Sequence, residues 1–367
     1  MKVLVLSNNA IGLIKFRGEL LEEMYRSGIK VYVCVPPSEY NHGLRKLGCM
    51  VKEIEFDRRG KKINQEVALL VRLCRIIKRL KPDIVLTYTI KPNIYGGVIC
   101  QILKIPYIAN ITGLGTEVEK KSLFSSLLLI AYRFALKKAK RVFVQNSFIR
   151  DVMQGNKRIR SNYKVLPGSG VNLEKNEFSD FPEDTGECRF LYIGRVMKDK
   201  GIEEYLKAAV RLKQKYSYVH FDIIGDFEEA RYEKKVNEFV EKNIVDYLPF
   251  QEDIRSVIAE HMAIVHPSYH EGMSNALLEA AAIGRPVIAS NIPGCRETFD
   301  DGITGYAFTV KDVEDMEQKI DEFINLPYEK KKEMGIRARE KMAREFDRNI
   351  IINEYIKMIK MVMTDVQ

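Results

Sequence analysis

Residues 266–290 read HPSYHEGMSNALLEAAAIGRPVIAS. The order is strand end, loop, helix, turn, strand. Ser274 is a good N-cap, because its hydroxyl can take a free backbone N–H of the first turn. Ala276 to Ala282 are mostly strong helix formers. Gly284 ends the helix, and Pro286 prevents its return. Val287, Ile288 and Ala289 resume as a strand. Glu271 lies on the loop before the helix, and Glu279 sits in its second turn. The helix N-terminus between them exposes N–H groups and a partial positive charge, which suit a sugar hydroxyl or a phosphate oxygen. Taken alone, the stretch is also compatible with a capped helix and an ordinary exposed glutamate.

A second loop, GRVMKDKG at residues 194–201, supplies the charge that the first lacks. Gly194 permits a tight strand-to-loop exit. Arg195 and Lys200 place two cations in one short segment. A nucleoside diphosphate gathers negative charge as it leaves a sugar, and fixed cations in a sheltered site stabilise it.

The pair Glu271 and Glu279, seven residues between them, preceded by PSYHEG and followed by GRPVIAS, resembles the nucleotide-sugar signature of retaining glycosyltransferases of family 4. That resemblance implies an α/β GT-B fold, with two doubly wound Rossmann-like domains facing across a cleft. It implies domains at 1–167 for the acceptor and 168–346 for the nucleotide sugar, with a terminal helix, 347–367, crossing back to the first. Arg195 and Lys200 would grip the donor diphosphate, and Glu271 would hydrogen-bond the donor sugar. Backbone groups of Met273, Ser274 and Asn275 would assist, and Glu279 would hold the ribose. Gly12, Gly194 and the Phe250 segment LPFQEDI complete the donor-side expectations. The chain departs from the family pattern at Phe227, in LPFQEDI and at Ala263. The first two places usually carry glycine and the third aspartate.

Upstream the chain repeats strand, loop and helix, which argues for a parallel doubly wound sheet. Lys2 to Leu6 reads as a buried strand, Ser7 to Gly12 as its loop, and Phe16 to Ser27 as a helix. Gly12 can let backbone approach a diphosphate there. TYTIKPNIYGG at 87–97 and IANITGLG at 108–115 read as loops after apolar strands. They resemble acceptor-side loops of bacterial surface-polysaccharide enzymes. Arg17, Lys91, Asn110 and Thr112 are the acceptor-side candidates. Many family members carry a histidine in the second loop, and this chain has none between His42 and His220. Residues 120–141, KKSLFSSLLLIAYRFALKKAKR, form an apolar helix with basic ends. The pattern fits a core-packing helix and also a membrane-surface helix. Residues 168–187 read as an interdomain linker. Glu297 matches a family position near the cleft, and a structural role is equally open to it.

The chain has 367 residues and a formal net charge of +9. Its length suggests two domains, and its charge suits nucleic acid, an anionic membrane or phosphorylated substrates. No nucleic-acid-binding motif accompanies that charge. None of the six cysteines forms a C-x-x-C pair, so they read as buried free thiols in a reducing compartment. The first residues do not read as a signal peptide, and no apolar run is long enough to span a bilayer. With no Asp-x-Asp and no clustered His or Cys, neither metal nor cofactor is expected.

The resulting expectation is a retaining, metal-independent glycosyltransferase. It would move sugar from a UDP-sugar to an undecaprenyl-diphosphate-linked glycan, in the cytoplasm at the inner face of the membrane. Rivals are a UDP-sugar 2-epimerase of the same fold and a non-catalytic nucleotide- or glycan-binding module.

Overall fold

A computed structural model describes residues 1–56, 63–113, 123–155 and 162–364. The chain forms two compact units. One comprises residues 1–169 with 349–367, and the other residues 170–348.

In the first unit the strands are β1 (Lys2–Leu6), β2 (Lys30–Val35), β3 (Met50–Glu53), β4 (Ile84–Tyr88), β5 (Tyr107–Ile111), β6 (Arg141–Val144) and β7 (Tyr163–Val165). All pair in parallel, in the order β3-β2-β1-β4-β5-β6-β7. The helices are α1 (Ala10–Arg26), α2 (Asn41–Lys46), α3 (Ile63–Leu80), α4 (Ile90–Leu103), α5 (Leu123–Leu136) and α6 (Ser147–Gln154). The central strands are buried except at Lys2, as expected when helices cover both faces of a parallel sheet.

Two helix starts differ from the sequence expectation. α1 begins at Ala10 rather than Phe16, because the Asn9 side chain caps it by accepting the Gly12 N–H at 3.1 Å. Gly12 therefore lies in a helical first turn, not in a loop. TYTIKPNIYGG is likewise not a loop, since its Pro92 falls in the first turn of α4, where a missing N–H costs nothing.

The second unit has β8 (Cys188–Ile193), β9 (Val219–Ile224), β10 (Asp246–Leu248), β11 (Ala263–His266), β12 (Val287–Ser290) and β13 (Gly305–Phe308). They too are parallel, in the order β10-β9-β8-β11-β12-β13. Its helices are α7 (Ile202–Lys215), α8 (Ala230–Glu241), α9 (Arg255–Ala259), α10 (Asn275–Ile283), α11 (Val313–Ile324) and α12 (Tyr328–Lys341).

The last helix, α13 (Arg348–Thr364), packs with the first unit. Ile351, Tyr355, Met358, Ile359 and Val362 share one face and join the core of β1, β4 and α1. Tyr355 packs on Phe143 with ring centres 4.7 Å apart.

Residues 170–187 are not a free linker. They run along the second unit, where Arg285 holds them. Its side chain is fully buried and donates to the carbonyls of Ser179, Asp180 and Ala259 at 2.9, 2.7 and 2.6 Å. Burial with no carboxylate bonded to it lowers its pKa to about 10.

Candidate active site at the switch point of the second sheet

The strand order reverses between β8 and β11. In an open parallel sheet, the loops leaving such neighbouring strands diverge and leave a crevice at their carboxyl ends. Those two loops are GRVMKDKG and the segment from Pro267 to Ser274. The two motifs read from the sequence therefore meet in space.

Their approach is close. Gly201 has φ +72°, and a Cβ there would stand 2.1 Å from the Pro267 carbonyl oxygen, so only glycine fits. Tyr269 donates its N–H to the Asp199 carbonyl at 2.9 Å. With the loops locked, Lys200 Nζ reaches Glu271 Oε1 at 2.5 Å. Both side chains are largely shielded, with 20% and 14% of their surface exposed. Burial alone would raise the Glu271 carboxyl. The Lys200 charge and the His266 hydrogen bond outweigh it and hold the group well below the ordinary carboxylate range.

Arg195 stands differently. Its side chain is 57% exposed and pairs with Glu228 at 3.2 Å. Glu228 comes from the loop after β9, which lies against the Arg195 loop through a parallel bridge between Val196 and Phe227. Phe227, where the family usually has glycine, stacks on Tyr247 with ring centres 4.8 Å apart.

Ser274 occupies the N-cap position of α10, but its hydroxyl caps nothing. It lies 3.1 Å from His266 Nε2 instead. His266 Nε2 in turn meets Glu271 Oε1 at 2.9 Å. Sequence alone gives His266 no role. The only signal for it was its place at the end of an apolar strand, five residues before Glu271.

Met273 buries its side chain in the core with Val171 and Leu278, so only its backbone is free for a ligand. Asn275 and Glu279 are half-buried on α10, in its first and second turns. Phe250 is exposed after β10. Glu297 has a structural task. It accepts the Gly294 N–H at 2.7 Å, and Gly294 accepts the Ser274 N–H at 2.8 Å.

In the first unit, two acceptor-side candidates serve the core. Arg17 is buried, with its guanidinium 5.7 Å from the ring centres of both Tyr88 and Tyr355. Asn110 is buried too. Its Nδ2 donates to the Thr87 carbonyl at 2.9 Å, and its Oδ1 accepts from the Tyr355 hydroxyl. Both positions face inward because β5 and α1 pack under α13. Lys91 pairs with Glu66 at 2.5 Å. Thr112 is exposed just past β5. Residues 114–122, which include the last two residues of IANITGLG and the basic Lys120 and Lys121, lie outside the described residues.

Family models match both halves. The model for glycosyl transferases group 1 matches residues 174–341, and the glycosyl transferase 4-like model matches residues 2–146. The chain belongs to the family 4-type glycosyltransferases. Over its full length it is 27% identical to the whole of a Campylobacter jejuni enzyme. That relative is named N,N'-diacetylbacillosaminyl-diphospho-undecaprenol alpha-1,3-N-acetylgalactosaminyltransferase. It is 24% identical to the Staphylococcus aureus capsular polysaccharide biosynthesis glycosyltransferase CapM over 79% of each chain. Among solved structures it resembles Anabaena HepE in complex with UDP. The TM-score is 0.81 at 18% identity, over 98% of this chain and 100% of that one. A glycosyltransferase from Rickettsia africae matches at a TM-score of 0.78 and 18% identity, over 99% and 98%. The two doubly wound units of this glycosyltransferase are those of the GT-B fold.

Proposed function

We propose that this glycosyltransferase moves a hexose or N-acetylhexosamine from a UDP-sugar to a glycan carried on undecaprenyl diphosphate, with retention of configuration and without a metal ion. The observation that carries the reading is the Lys200–Glu271 pair at the carboxyl ends of the strands flanking the switch point. A cation and a carboxylate meet where a leaving diphosphate and a sugar would meet. The full-length similarity to an enzyme named for a diphospho-undecaprenol substrate supports the acceptor class.

Under this reading Lys200 exchanges Glu271 for the donor diphosphate, and Arg195 exchanges Glu228 for it. Glu271 accepts a hydrogen bond from a sugar hydroxyl, since an ionised carboxylate only accepts. Glu279 does the same for the ribose. The Phe250 segment faces the base, and backbone N–H groups of the α10 first turn face developing negative charge. The C1–O bond to the diphosphate breaks, and the acceptor oxygen bonds to C1 on the same face. A donor phosphate oxygen takes the acceptor's proton. In this reading the diphosphate charge falls to the two cations, Arg195 and Lys200.

The acceptor's lipid places the reaction at a membrane face, and α5 offers a surface for it. One side of α5 is core, with Tyr132, Ala135 and Leu136 buried. The other side exposes Leu127, Ile130 and Phe134, all more than half accessible. No acidic residue occurs from Leu123 to Arg141, whereas Lys137, Lys138 and Lys140 follow the helix. Apolar anchors beside cations suit an anionic bilayer surface. Among the described residues no helix is long and apolar enough to cross a membrane; the attachment proposed here is peripheral, through this face of α5, at the inner side of the membrane.

The test is a donor panel. UDP-N-acetylgalactosamine, UDP-N-acetylglucosamine, UDP-glucose and UDP-galactose are each supplied with undecaprenyl diphosphate bearing one N-acetylated amino sugar. UDP release that depends on the lipid, with a lengthened glycan whose new linkage keeps the donor's anomeric configuration, is expected. UDP-sugar conversion without acceptor would point to an epimerase instead.

A further inference from the structure

Glu271 stands on an irregular loop, yet a carboxylate that must meet one sugar hydroxyl needs a fixed direction. Two groups hold it, and both bind the same oxygen, Oε1. They are not equivalent. Lys200 ends a flexible four-carbon stem on a short 3-10 turn, and its charge is needed by a diphosphate. His266 is the last residue of β11, in register with Ala289 of β12, and is only 4% exposed. Its ring is buried at the carboxyl end of an interior strand.

The hydrogen-bond chemistry sets the direction. Glu271 Oε1 can only accept, so His266 Nε2 carries the proton between them. With that proton on Nε2, Ser274 Oγ, 3.1 Å from the same nitrogen, is a second and longer-range acceptor of it.

We propose that His266 is a positioning residue. It ties Glu271 Oε1 to the rigid end of β11 and keeps the other carboxylate oxygen directed at the donor sugar after Lys200 has turned to the diphosphate. This rests on the reading of Glu271 as the donor-sugar carboxylate. His266 touches no reacting atom and acts only through Glu271.

The test uses His266→Gln, His266→Asn, Glu271→Gln and the double variant His266→Asn with Glu271→Gln in the full chain. Gln places an amide nitrogen near the Nε2 position, whereas Asn places one near Nδ1, too short to reach Glu271. The readouts are UDP release from UDP-N-acetylgalactosamine with the lipid acceptor above, and calorimetric titration with UDP. His266→Asn should lower kcat about tenfold or more, leaving the donor KM and UDP affinity within about twofold. His266→Gln should recover most of that loss. In the Glu271→Gln background, His266→Asn should cost less than about twofold, because the carboxylate that His266 positions is already gone. An undiminished loss in that background would show that His266 acts independently of Glu271, and the inference fails alone. Equal losses for Gln and Asn would overturn it too. If Glu271→Gln itself leaves kcat at the wild-type value, the donor reading of Glu271 falls first and takes this inference with it.

Discussion

Replacing Lys200 by Met leaves a shielded carboxylate without its cation. Removing one partner of a fully buried pair costs about 3–5 kcal/mol, because the other charge stays desolvated. Here 14% of the Glu271 side chain remains exposed, and His266 still donates to the same oxygen. Both reduce the penalty, so about 2 kcal/mol is expected. For a unit the size of residues 170–348, that corresponds to a fall in Tm of about 4–8 °C. Adding Glu271→Gln removes the stranded charge, so the double variant should regain most of that stability. Activity should not return, since the diphosphate has lost a fixed cation, worth ~10²-fold or more in rate. Thermal melts and UDP-release assays on the two single variants and the double separate the effects. Additive Tm losses would refute the claim that the two residues are energetically coupled. The pH dependence has a definite sign. The Glu271 carboxyl lies below its ordinary value of 4.5 in the folded chain. Its pairing therefore contributes stability above that pH and loses it as pH falls through the depressed value. The stability gap between wild type and Glu271→Gln should narrow on acidification below about 4.5.

Arg195→Ala should lower turnover by ~10²-fold yet leave Tm within about 1 °C, because its pair with Glu228 is exposed and worth little; rates within a few-fold of wild type would remove it from the site. Glu279→Gln should weaken UDP binding in calorimetry while kcat at saturating donor holds, since a ribose contact is the same in ground and transition states. Activity should persist in excess EDTA, and complete loss restored by Mg²⁺ or Mn²⁺ would overturn the two-cation account. Substituting Ser at Leu127, Ile130 and Phe134 should cut flotation with anionic vesicles without changing UDP affinity. Buried side chains of this size contribute about 1.5–3 kcal/mol each, so unchanged flotation would exclude this face as the contact.

Residues 266–290 and 194–201 carried most of what the sequence alone determined. Local signals were enough there: a Gly-Pro stop, a buried strand run, and charges placed just past strand ends. The same signals specified the doubly wound units, because strand-loop-helix order is written in short-range periodicity. What tertiary structure decided is whatever depends on a partner distant in sequence. Ser274 reads as a capping residue until His266 is placed beside it. His266 reads as the tail of a strand until the β8 and β11 loops converge on Glu271. Arg17 and Asn110 read as ligand-facing residues, but α13, more than two hundred positions later, brings Tyr355 between them and turns both into core. A polar side chain's role follows from which group satisfies it, and that group is chosen by packing rather than by neighbours in the chain.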